Sequence, residues 1–570
     1  GFLYRYLQLR SGGEAVAEMM GGVRIVPDAT DPHQRRALNV VEEMAIASGV
    51  PVPPVYELKD ESINAFAAGH TVDQAAIGLT RGCMALPRDE LQGVVAHEFS
   101  HIFNGDMRLN VRLIAVINGV MVLGIAGLLL ARYVGWGLLL GGGGRRSSND
   151  KGGGLAIALA LIILGWLVAA IGFMGTLVAR IIQAAVSRQR EFLADASAVQ
   201  YTRNPDGIAG ALSRIAQRPR ETKISGEASQ FNHMFFSQAV PALFATHPPL
   251  PQRIDRITGG RHVELSEEGV AATSETDSQA RHPAHGMAAA AVAIGQVQQA
   301  LASAGDVHAI PMEWTRQVIN SIPQHLRDAA HSPQSVRALI AAMIINDSPD
   351  DQQIASLQKK ALSAYLPAPE VQGIKSLQQD LRALHPSARI PLLDMSSAAV
   401  LALSSSQAQA LQSLINDLVA ADQKVSRFEW VVAMIIDAML SRSGDAGHAA
   451  RRSLQSMASS VAIILEVVGY AGGMDGQSVG QAMTQACQFL KIPMPSGGPT
   501  GVSLKQLNRA VGELRQLKFS ERGRLLQAVV SIVDHDGQTT VEEAEVVRAV
   551  AEVLAVPMPP VVPDEAGHAA

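Results

Sequence analysis

Cysteine is scarce in this chain of 570 residues, which contains only Cys83 and Cys487. Two thiols cannot form a disulfide framework, so we interpret both as inert thiols, compatible with a reducing compartment. Charge is scarce too: charged residues make up 17% of the chain, and 47 basic against 52 acidic residues give a net charge of -5. A mildly acidic chain without a basic block is poorly suited to nucleic acid, so we expect no nucleic-acid partner.

Apolar residues, in contrast, are abundant at 48%, and the mean hydropathy is +0.14. This composition excludes intrinsic disorder as the overall class. The runs 113–131 and 155–179 contain no charged residue, and about 20 apolar residues suffice to cross a bilayer as a helix. Two buried helices of a soluble core are the alternative, but such helices rarely run this long without a charge. The two runs therefore predict a transmembrane hairpin joined by a glycine-rich polar loop.

The flanking sequence predicts a mixed α/β unit before the hairpin and helices after it. Apolar spacing and stop signals indicate helices at 32–48, 88–103, 181–199 and 205–217, and strands at 55–58, 63–68 and 75–80. Beyond residue 310 the pattern is helical. There, residues 418–429 align with 532–543, each passing from an apolar helix end to an Asp and then to a Glu that opens another helix. An EF-hand interpretation fails because Ile532 would occupy the first calcium-ligand position, so Asp-capped helix–turn–helix units are predicted.

The strongest chemical signal is the segment Val94–His101, in which His97, Glu98 and His101 form the pattern His-Glu-x-x-His. Residues four apart lie on one face of a helix, so both imidazoles can bind one zinc ion. Glu98 is then placed to accept a proton from water at the metal's open position. Two surface histidines are the alternative, but the apolar flanks predict half-buried rings, which need polar partners.

A catalytic zinc needs a third protein ligand. Glu191 and Asp195 share a face of the helix that follows the second apolar run. One of them would ligate the metal, and the other could orient a ligand histidine. Spacing alone does not decide which of the two ligates the metal and which orients the histidine.

These features resemble the HtpX-type membrane zinc metallopeptidases, relatives of the CAAX prenyl endopeptidases within the gluzincins. The matching segments, in the order of that family, are Ile63–Gly69, Arg88–Asp106, Arg190–Asp195, Asn232–Ser237 and Thr246–Ile254. The resemblance covers about residues 20–257. It implies one Zn²⁺ per chain and an edge strand that pairs with extended substrate. The implied roles are zinc ligation by His97, His101 and Glu191, general base catalysis by Glu98, orientation of a ligand by Asp195, oxyanion stabilisation by His247 and Arg253, and substrate binding by Asn64, Ala65 and Phe66.

The expected fold class is α+β: a gluzincin-like core interrupted by a two-helix transmembrane hairpin and followed by an all-α region. The parts are residues 1–110 with the zinc helix, 111–180 with the hairpin, 181–258 with the second half of the peptidase, a linker at 259–307, and the helical region 308–570. That last region resembles TerB-like modules of the tellurite-resistance type, which implies a regulatory role or a protein partner. The chain begins with Gly1 rather than Met, and we expect that further residues precede it in the full protein.

The expected function is hydrolysis of peptide bonds in membrane or misfolded proteins, as quality control. Two alternatives stay open: a processing protease with one membrane substrate, and a membrane sensor or scaffold with structural zinc. An intact Glu98 argues against the scaffold, because a structural site needs no base. We expect a multi-pass protein of the cytoplasmic (inner) membrane. Five arginines flank the catalytic side and four basic residues the other, so the charge bias is small and the resemblance indicates a cytoplasmic catalytic side.

Overall fold

The computed structural model describes residues 13–69, 71–135, 153–217, 247–261, 312–345, 352–421, 426–444, 452–471, 473–494, 504–533, 535 and 541–558. Most of the predicted linker 259–307, most of the predicted loop between the apolar runs, and the segment Asn232–Ser237 lie outside these residues. We call the described part up to Thr258 the N-terminal unit and the described part from Met312 the C-terminal region.

A four-stranded sheet organises the start of the N-terminal unit. Its strands are β1 (Val23–Arg24), β2 (Val55–Leu58), β3 (Ala65–Ala68) and β4 (Ala76–Thr80). They lie in the order β1-β2-β4-β3, in which β2 pairs with β4 in parallel and the other pairs are antiparallel. The three predicted strands are confirmed to within two residues, and β3 is a terminal strand of the sheet.

Helices cover both faces of this sheet. Helix α1 (Gly13–Met19) packs on one face, whereas α2 (Pro32–Ser48) and α4 (Arg88–Phe103) pack on the other; α3 (Arg81–Met84) is short. Helix α2 begins where the Asp31 carboxylate accepts hydrogen bonds from two backbone N–H groups of the first turn, and it ends at Gly49, whose φ of 66° is left-handed. Both predicted helices, 32–48 and 88–103, are confirmed.

Two long helices follow the sheet. Helix α5 (Asp106–Leu129) continues into a π-helical turn, Leu130–Gly135, and α6 runs unbroken from Gly153 to Thr202. At 1.5 Å per residue, a helix of 50 residues is about 75 Å long. Within the residues described, the stretch Ala156–Thr202 alone is long and apolar enough to cross a membrane, and the apolar stretch Gly119–Val134 is shorter. The predicted hairpin of two spans therefore stays a prediction.

Glycines let α5 and α6 approach closely. A Cβ atom on Gly172 of α6 would lie 2.3 Å from the Gly124 nitrogen, and one on Gly127 of α5 would lie 2.5 Å from the Ala169 nitrogen. Away from this seam, large apolar side chains such as Trp166 are exposed along both helices. Close contact through small residues beneath an apolar outer surface is typical of paired membrane helices.

Two shorter helices complete the N-terminal unit. Helix α7 (Pro205–Gln217) packs on α4, where a Cβ on Gly93 would lie 2.5 Å from the Ile208 nitrogen. Helix α8 (Leu250–Thr258) packs on α7 and α6. The predicted helix 205–217 is confirmed.

The elements described in the C-terminal region are helical. They are α9 (Met312–Ser321), α10 (Gln324–His331), α11 (Val336–Ile344), α12 (Gln352–Tyr365), α13 (Ala368–Ala383), a 3₁₀ turn (Pro386–Ala388), α14 (Arg389–Met395), α15 (Ser397–Leu401), α16 (Ser405–Ala420), α17 (Arg427–Gly444), a 3₁₀ turn (Gln455–Met457), α18 (Ala458–Ala471), α19 (Gly476–Leu490), α20 (Leu504–Leu514), α21 (Phe519–Val533) and α22 (Val541–Leu554). An isolated β-bridge joins Arg452 to Leu517. The predicted repeat places Glu429 and Glu543 in the first turns of α17 and α22; its aspartates, Asp422 and Asp536, lie outside the described residues.

The C-terminal region packs directly on α2. Ile46 of α2 is buried in the apolar core of the C-terminal helices, and Met312 of α9 is buried in the core of the N-terminal unit. Ion pairs add to this contact: His331 Nε2 lies 2.9 Å from Glu42 Oε2. The Arg316 guanidinium donates to Gln92 Oε1 of α4 at 2.6 Å. The two regions therefore share a buried interface.

Candidate metal centre and active site

Helix α4 brings the imidazole rings of His97 and His101 close together on one face. His97 and His101 are one turn apart, and their Nε2 atoms are 3.2 Å from each other. His97 and Glu98 are buried, whereas the His101 side chain is 18% exposed. Leu91, Val94, Val95 and Phe99 on the same helix are fully buried in the core that α4 shares with α2, α7 and the sheet, which fixes the rotation of α4. The helix thus presents the His97–His101 edge toward α6.

Helix α6 brings a carboxylate to the same point. Glu191 Oε2 lies 3.5 Å from His97 Nε2, and Glu191 Oε1 lies 3.6 Å from His101 Nε2. Among the residues described, these three side chains form a group able to hold a metal, with one ligand atom of each within 4.8 Å of the others. Glu191, and not Asp195, is the carboxylate that faces both imidazoles.

The spacing of these atoms suits zinc. Bonds of about 2.0–2.1 Å in a tetrahedron place neighbouring ligand atoms about 3.3 Å apart, close to the observed 3.2, 3.5 and 3.6 Å. Two imidazoles and one carboxylate also form a donor set that leaves a position open for water. The two Glu191 distances belong to different oxygens, so the three side chains could hold a zinc ion through one or both oxygens of Glu191.

The charges around the site also favour a cation. Four buried carboxylates, those of Glu98, Asp106, Glu191 and Asp195, stand near two guanidinium groups, those of Arg190 and Arg253. With neutral imidazoles this leaves two negative charges in excess. Burial alone would lower the pKa of His97 and of His101, but the carboxylates outweigh burial and raise both. A field that favours protons on both rings also favours a divalent cation between them.

Asp195 lies behind His97 and is itself held by Arg253. Asp195 Oδ1 is 3.0 Å from His97 Nδ1. Arg253 of α8 donates from Nε and Nη2 to the two oxygens of Asp195 at 2.8 and 2.6 Å, and its Nη1 lies 3.3 Å from Glu191 Oε2. Burial alone would raise the pKa of Asp195, but Arg253 lowers it. Asp195 thus contacts the ring nitrogen of His97 that faces away from Glu191, and its role in orienting a ligand stays a prediction.

Arg253 lies against two of the buried carboxylates. Its side chain is completely buried, and its guanidinium faces Asp195 and Glu191. Contact with a substrate oxygen would require the guanidinium to leave these two carboxylates. In this geometry Arg253 fixes the two carboxylates, and its expected role in oxyanion stabilisation stays a prediction.

A second aspartate, which sequence reasoning left without a role, lies behind His101. Asp106 Oδ2 is 2.8 Å from His101 Nδ1, and Asp106 also forms an ion pair with Arg190 of α6. In the sequence, the signal for Asp106 was its position as an acidic residue directly after the helix end at Asn104-Gly105. Spacing gave no reason to connect it with His101, because the chain turns between them.

The pKa values of Glu98 and Glu191 are shifted in opposite directions although both side chains are buried. Burial raises the pKa of Glu98 above its usual range, and the nearby histidines offset this in part. Burial acts on Glu191 in the same direction, but His247, His101 and His97 outweigh it and hold its pKa well below the usual range. Glu191 is thus kept as an anion, the form that binds a metal, while the pKa of Glu98 is raised.

The remaining predicted site residues lie just before α8 and on the sheet. His247 Nδ1 is 2.9 Å from Glu191 Oε2, and the His247 side chain is 9% exposed. On the sheet, Asn64 directly precedes β3, and its Oδ1 accepts from the Ala65 N–H at 3.1 Å. Ala65 faces the core that includes α4, but the Phe66 ring is buried on the opposite face, beneath α1. The Phe66 side chain therefore points away from the metal cluster, and only its main chain could meet a substrate there.

Comparison with known proteins agrees with this geometry. A sequence model of peptidase family M48 matches residues 32–260. A protein named "Protease HtpX homolog" from Listeria monocytogenes is 38% identical over 263 residues, which cover 45% of this chain and 83% of the relative. The chain belongs to the HtpX-type metallopeptidases. Proteins of the same name from Caldanaerobacter subterraneus and Streptococcus thermophilus are 37% and 38% identical, over 45% of this chain and 80% and 83% of their own lengths.

Membership of the HtpX-type metallopeptidases accounts for the position of the site in the chain. The M48 match includes every residue of the cluster, from His97 to Arg253, and ends before the C-terminal region. No solved structure matches the chain significantly. The family makes the chain a protease, so its substrates are peptides or proteins.

Proposed function

We propose that this chain is a membrane-bound zinc metalloendopeptidase that hydrolyses peptide bonds of membrane or misfolded proteins. The observation that carries the proposal is the convergence of His97, His101 and Glu191 on one point, with buried Glu98 beside it. A bound zinc ion would polarise the substrate carbonyl and acidify water. His97, His101 and Glu191 would hold it. Asp195, fixed by Arg253, would orient His97.

Glu98 would act as the general base. Its carboxylate takes a proton from the attacking water and returns it to the nitrogen of the leaving amine. Its raised pKa suits a base, because a carboxylate of higher pKa accepts the proton of the attacking water more readily. His247, at the edge of the cluster, would stabilise the negative charge that develops on the carbonyl oxygen.

Substrate would be held as an added strand beside β3. As a terminal strand packed against α4, β3 is suitably placed for main-chain pairing next to the metal cluster. Asn64 and the main chain of Ala65 and Phe66 would take part. Main-chain pairing gives only a weak preference for substrate sequence, which suits an enzyme that acts on many partly unfolded chains in quality control.

The experiment for this proposal uses the full chain purified in detergent, with zinc content and cleavage of an unfolded protein as readouts. Glu98→Gln should keep zinc and lose hydrolysis by about 10²–10⁴-fold, while His97→Ala and Glu191→Ala should lose the metal. Glu18→Gln removes an exposed carboxylate on α1 and serves as the matched control. Near-normal hydrolysis by Glu98→Gln would contradict the proposal. Trapping substrates in cells with Glu98→Gln would separate quality control from processing of a single substrate.

For the membrane, we propose that α5 and α6 form a two-span hairpin with the catalytic residues on the cytoplasmic side of the inner membrane. The glycine seam and the exposed apolar surface support this. An even number of crossings is also needed, because His101 and Glu191 must reach one ion. Cysteines placed at Ser147 and Ser406 test it with an impermeant reagent on intact cells; the native thiols are buried. We expect labelling at 147 alone. Equal labelling would contradict the hairpin.

We further propose the five-part division given above, with the C-terminal region acting as a TerB-like regulatory or partner-binding module. Its contact with α4 through Arg316 and Gln92 supports a regulatory link, because Gln92 lies on the same helix as His97.

A further inference from the structure

We propose that Asp106 is a positioning residue of the metal centre and that Arg190 holds it in place, an inference that rests on the proposed zinc chemistry. Asp106 is the first residue of α5 and is 3% exposed. Its carboxylate contacts the ring nitrogen of His101 that faces away from the cluster. It therefore acts on the metal site only through His101.

The contact determines which form His101 adopts. The Asp106 carboxylate lies 2.8 Å from Nδ1 and can only accept a hydrogen bond. Nδ1 therefore carries the hydrogen and donates it to Asp106. The lone pair of Nε2 is then left for the metal, on the side where Glu191 Oε1 lies 3.6 Å away. A carboxylate behind a ligand imidazole fixes the ring orientation and increases its basicity.

Arg190 connects this carboxylate to the helix that supplies the third ligand. It precedes Glu191 on α6 and forms an ion pair with Asp106. The ion pair therefore ties the start of α5 to the part of α6 that carries Glu191. A change in the relative position of α5 and α6 would move Asp106 and, through it, His101.

The arrangement behind His101 matches the one behind His97. In each, an imidazole Nδ1 contacts a buried aspartate, and an arginine from another element contacts that aspartate. The simpler explanation, an acidic residue that interacts with the dipole of a helix N-terminus, predicts neither burial nor a ring contact. The two explanations differ in what they predict for metal affinity.

The test measures zinc affinity of the full chain in detergent by competition with a chelator, and the absorption spectrum of the Co²⁺ form. Asp106→Asn should weaken zinc binding about 10–100-fold and change the Co²⁺ spectrum. Asp89→Asn is the matched control, because Asp89 is an exposed acid in the first turn of α4. Arg190→Gln should weaken binding less than Asp106→Asn, and Arg190→Lys should restore most of the loss.

The outcomes separate this inference from the proposed function. If the wild-type chain binds no zinc, the proposed function fails and the inference fails with it. If the wild type binds zinc and Asp106→Asn binds it as tightly as Asp89→Asn, only the inference fails. Should Asp106→Asn not fold, equal zinc affinity of Arg190→Gln and Arg190→Lys would overturn the inference, and a difference in the expected direction would support it.

Discussion

Several side chains of the candidate metal centre touch more than one other. Glu191 contacts His97, His101, His247 and Arg253, and Arg253 contacts Asp195 as well. A substitution at one member therefore leaves the others buried with unmatched charge or polarity, which is more costly than loss of the contact itself. Residue roles are best separated at the edge of the cluster, where a side chain can be removed with least disturbance.

His247 is that edge residue, and it gives a residue-scale prediction. If it stabilises the developing oxyanion, His247→Ala should lower kcat by about 10²–10³-fold and change KM little, because the lost contact forms only in the transition state. Steady-state kinetics with a fluorogenic peptide measures both constants.

His325→Ala is the control, since that exposed ring contacts Asp380 in the C-terminal region, away from the cluster. A raised KM with unchanged kcat would instead make His247 a substrate-docking residue.

Helices α5 and α6 contribute residues both to the candidate metal centre and to the exposed apolar surface. Helix α6 carries Glu191 and Asp195 at one end and a long apolar surface at the other without a break. Helix α5 begins at Asp106, which contacts His101. The packing of these two helices therefore determines the position of metal-site residues as well as the shape of the apolar surface.

The glycine seam gives an element-scale prediction. Gly172→Ala adds a Cβ that would lie 2.3 Å from the Gly124 nitrogen, so α5 and α6 must separate. Overpacking of this kind costs about 1–3 kcal/mol. We expect a lower denaturation midpoint in detergent and weaker zinc binding.

Gly119→Ala is the matched control on α5, because nothing lies within 4 Å of the Cβ it would add. Equal midpoints for the two variants would show that the seam does not limit stability.

At the scale of the whole molecule, the C-terminal region and the N-terminal unit share helix α2. The Cβ of any residue replacing Gly49 would overlap the Met558 carbonyl, so the end of the described chain returns to the same helix that α9 and α10 contact. This interface crosses the boundary that sequence composition places at 259–307.

His331 predicts that the stability of this interface depends on pH. Burial alone would lower the pKa of His331, and Arg327 acts in the same direction. The carboxylates of Glu42 and Asp328 outweigh both effects and raise this pKa. The contact then stabilises the fold fully below the unfolded pKa of about 6.5 and loses that effect as pH rises through the raised folded pKa. In a double-mutant cycle of His331→Gln and Glu42→Gln, coupling in the denaturation midpoint should be larger near pH 6 than near pH 9.

An equal coupling at both pH values would mean that the pair is held by a neutral hydrogen bond. A coupling that grows with pH would contradict the assigned charges.

Removal of the C-terminal region gives the second prediction at this scale. A chain cut after residue 305 should still bind zinc, because the proposed ligands all precede it, but it should be less stable because Ile46 and its neighbours become exposed. Ile46→Gln should lower the free energy of unfolding of the full chain by about 1–3 kcal/mol, since it buries an amide. In the truncated chain it should have little effect.

The control is Val41→Gln, on the same helix but buried in the core of the N-terminal unit, which should destabilise both chains. If Ile46→Gln destabilises both chains equally, α2 is not an interface helix.

The sequence alone determined the local elements and the chemistry of the strongest motif. Helix α2 was predictable from its proline start and Gly49 end, and the His97–His101 pair from its spacing of four, because these signals are local along the chain. Spacing left Glu191 and Asp195 open as the third ligand; the resemblance implied Glu191. The tertiary structure showed which carboxylate faces Nε2 of both rings, because that depends on the rotation of α6 against α4.

The tertiary structure alone decided the remaining contacts. Four of these contacts join residues from different elements. They are the contact of Asp106 with His101, the contacts of Arg253 with Asp195 and Glu191, the burial of the Phe66 ring beneath α1, and the packing of the C-terminal region on α2. Sequence periodicity shows that a helix has a buried face, but the partner of that face is chosen by packing. Contacts between elements, unlike helix caps and turns, leave no spacing in the sequence from which they can be read.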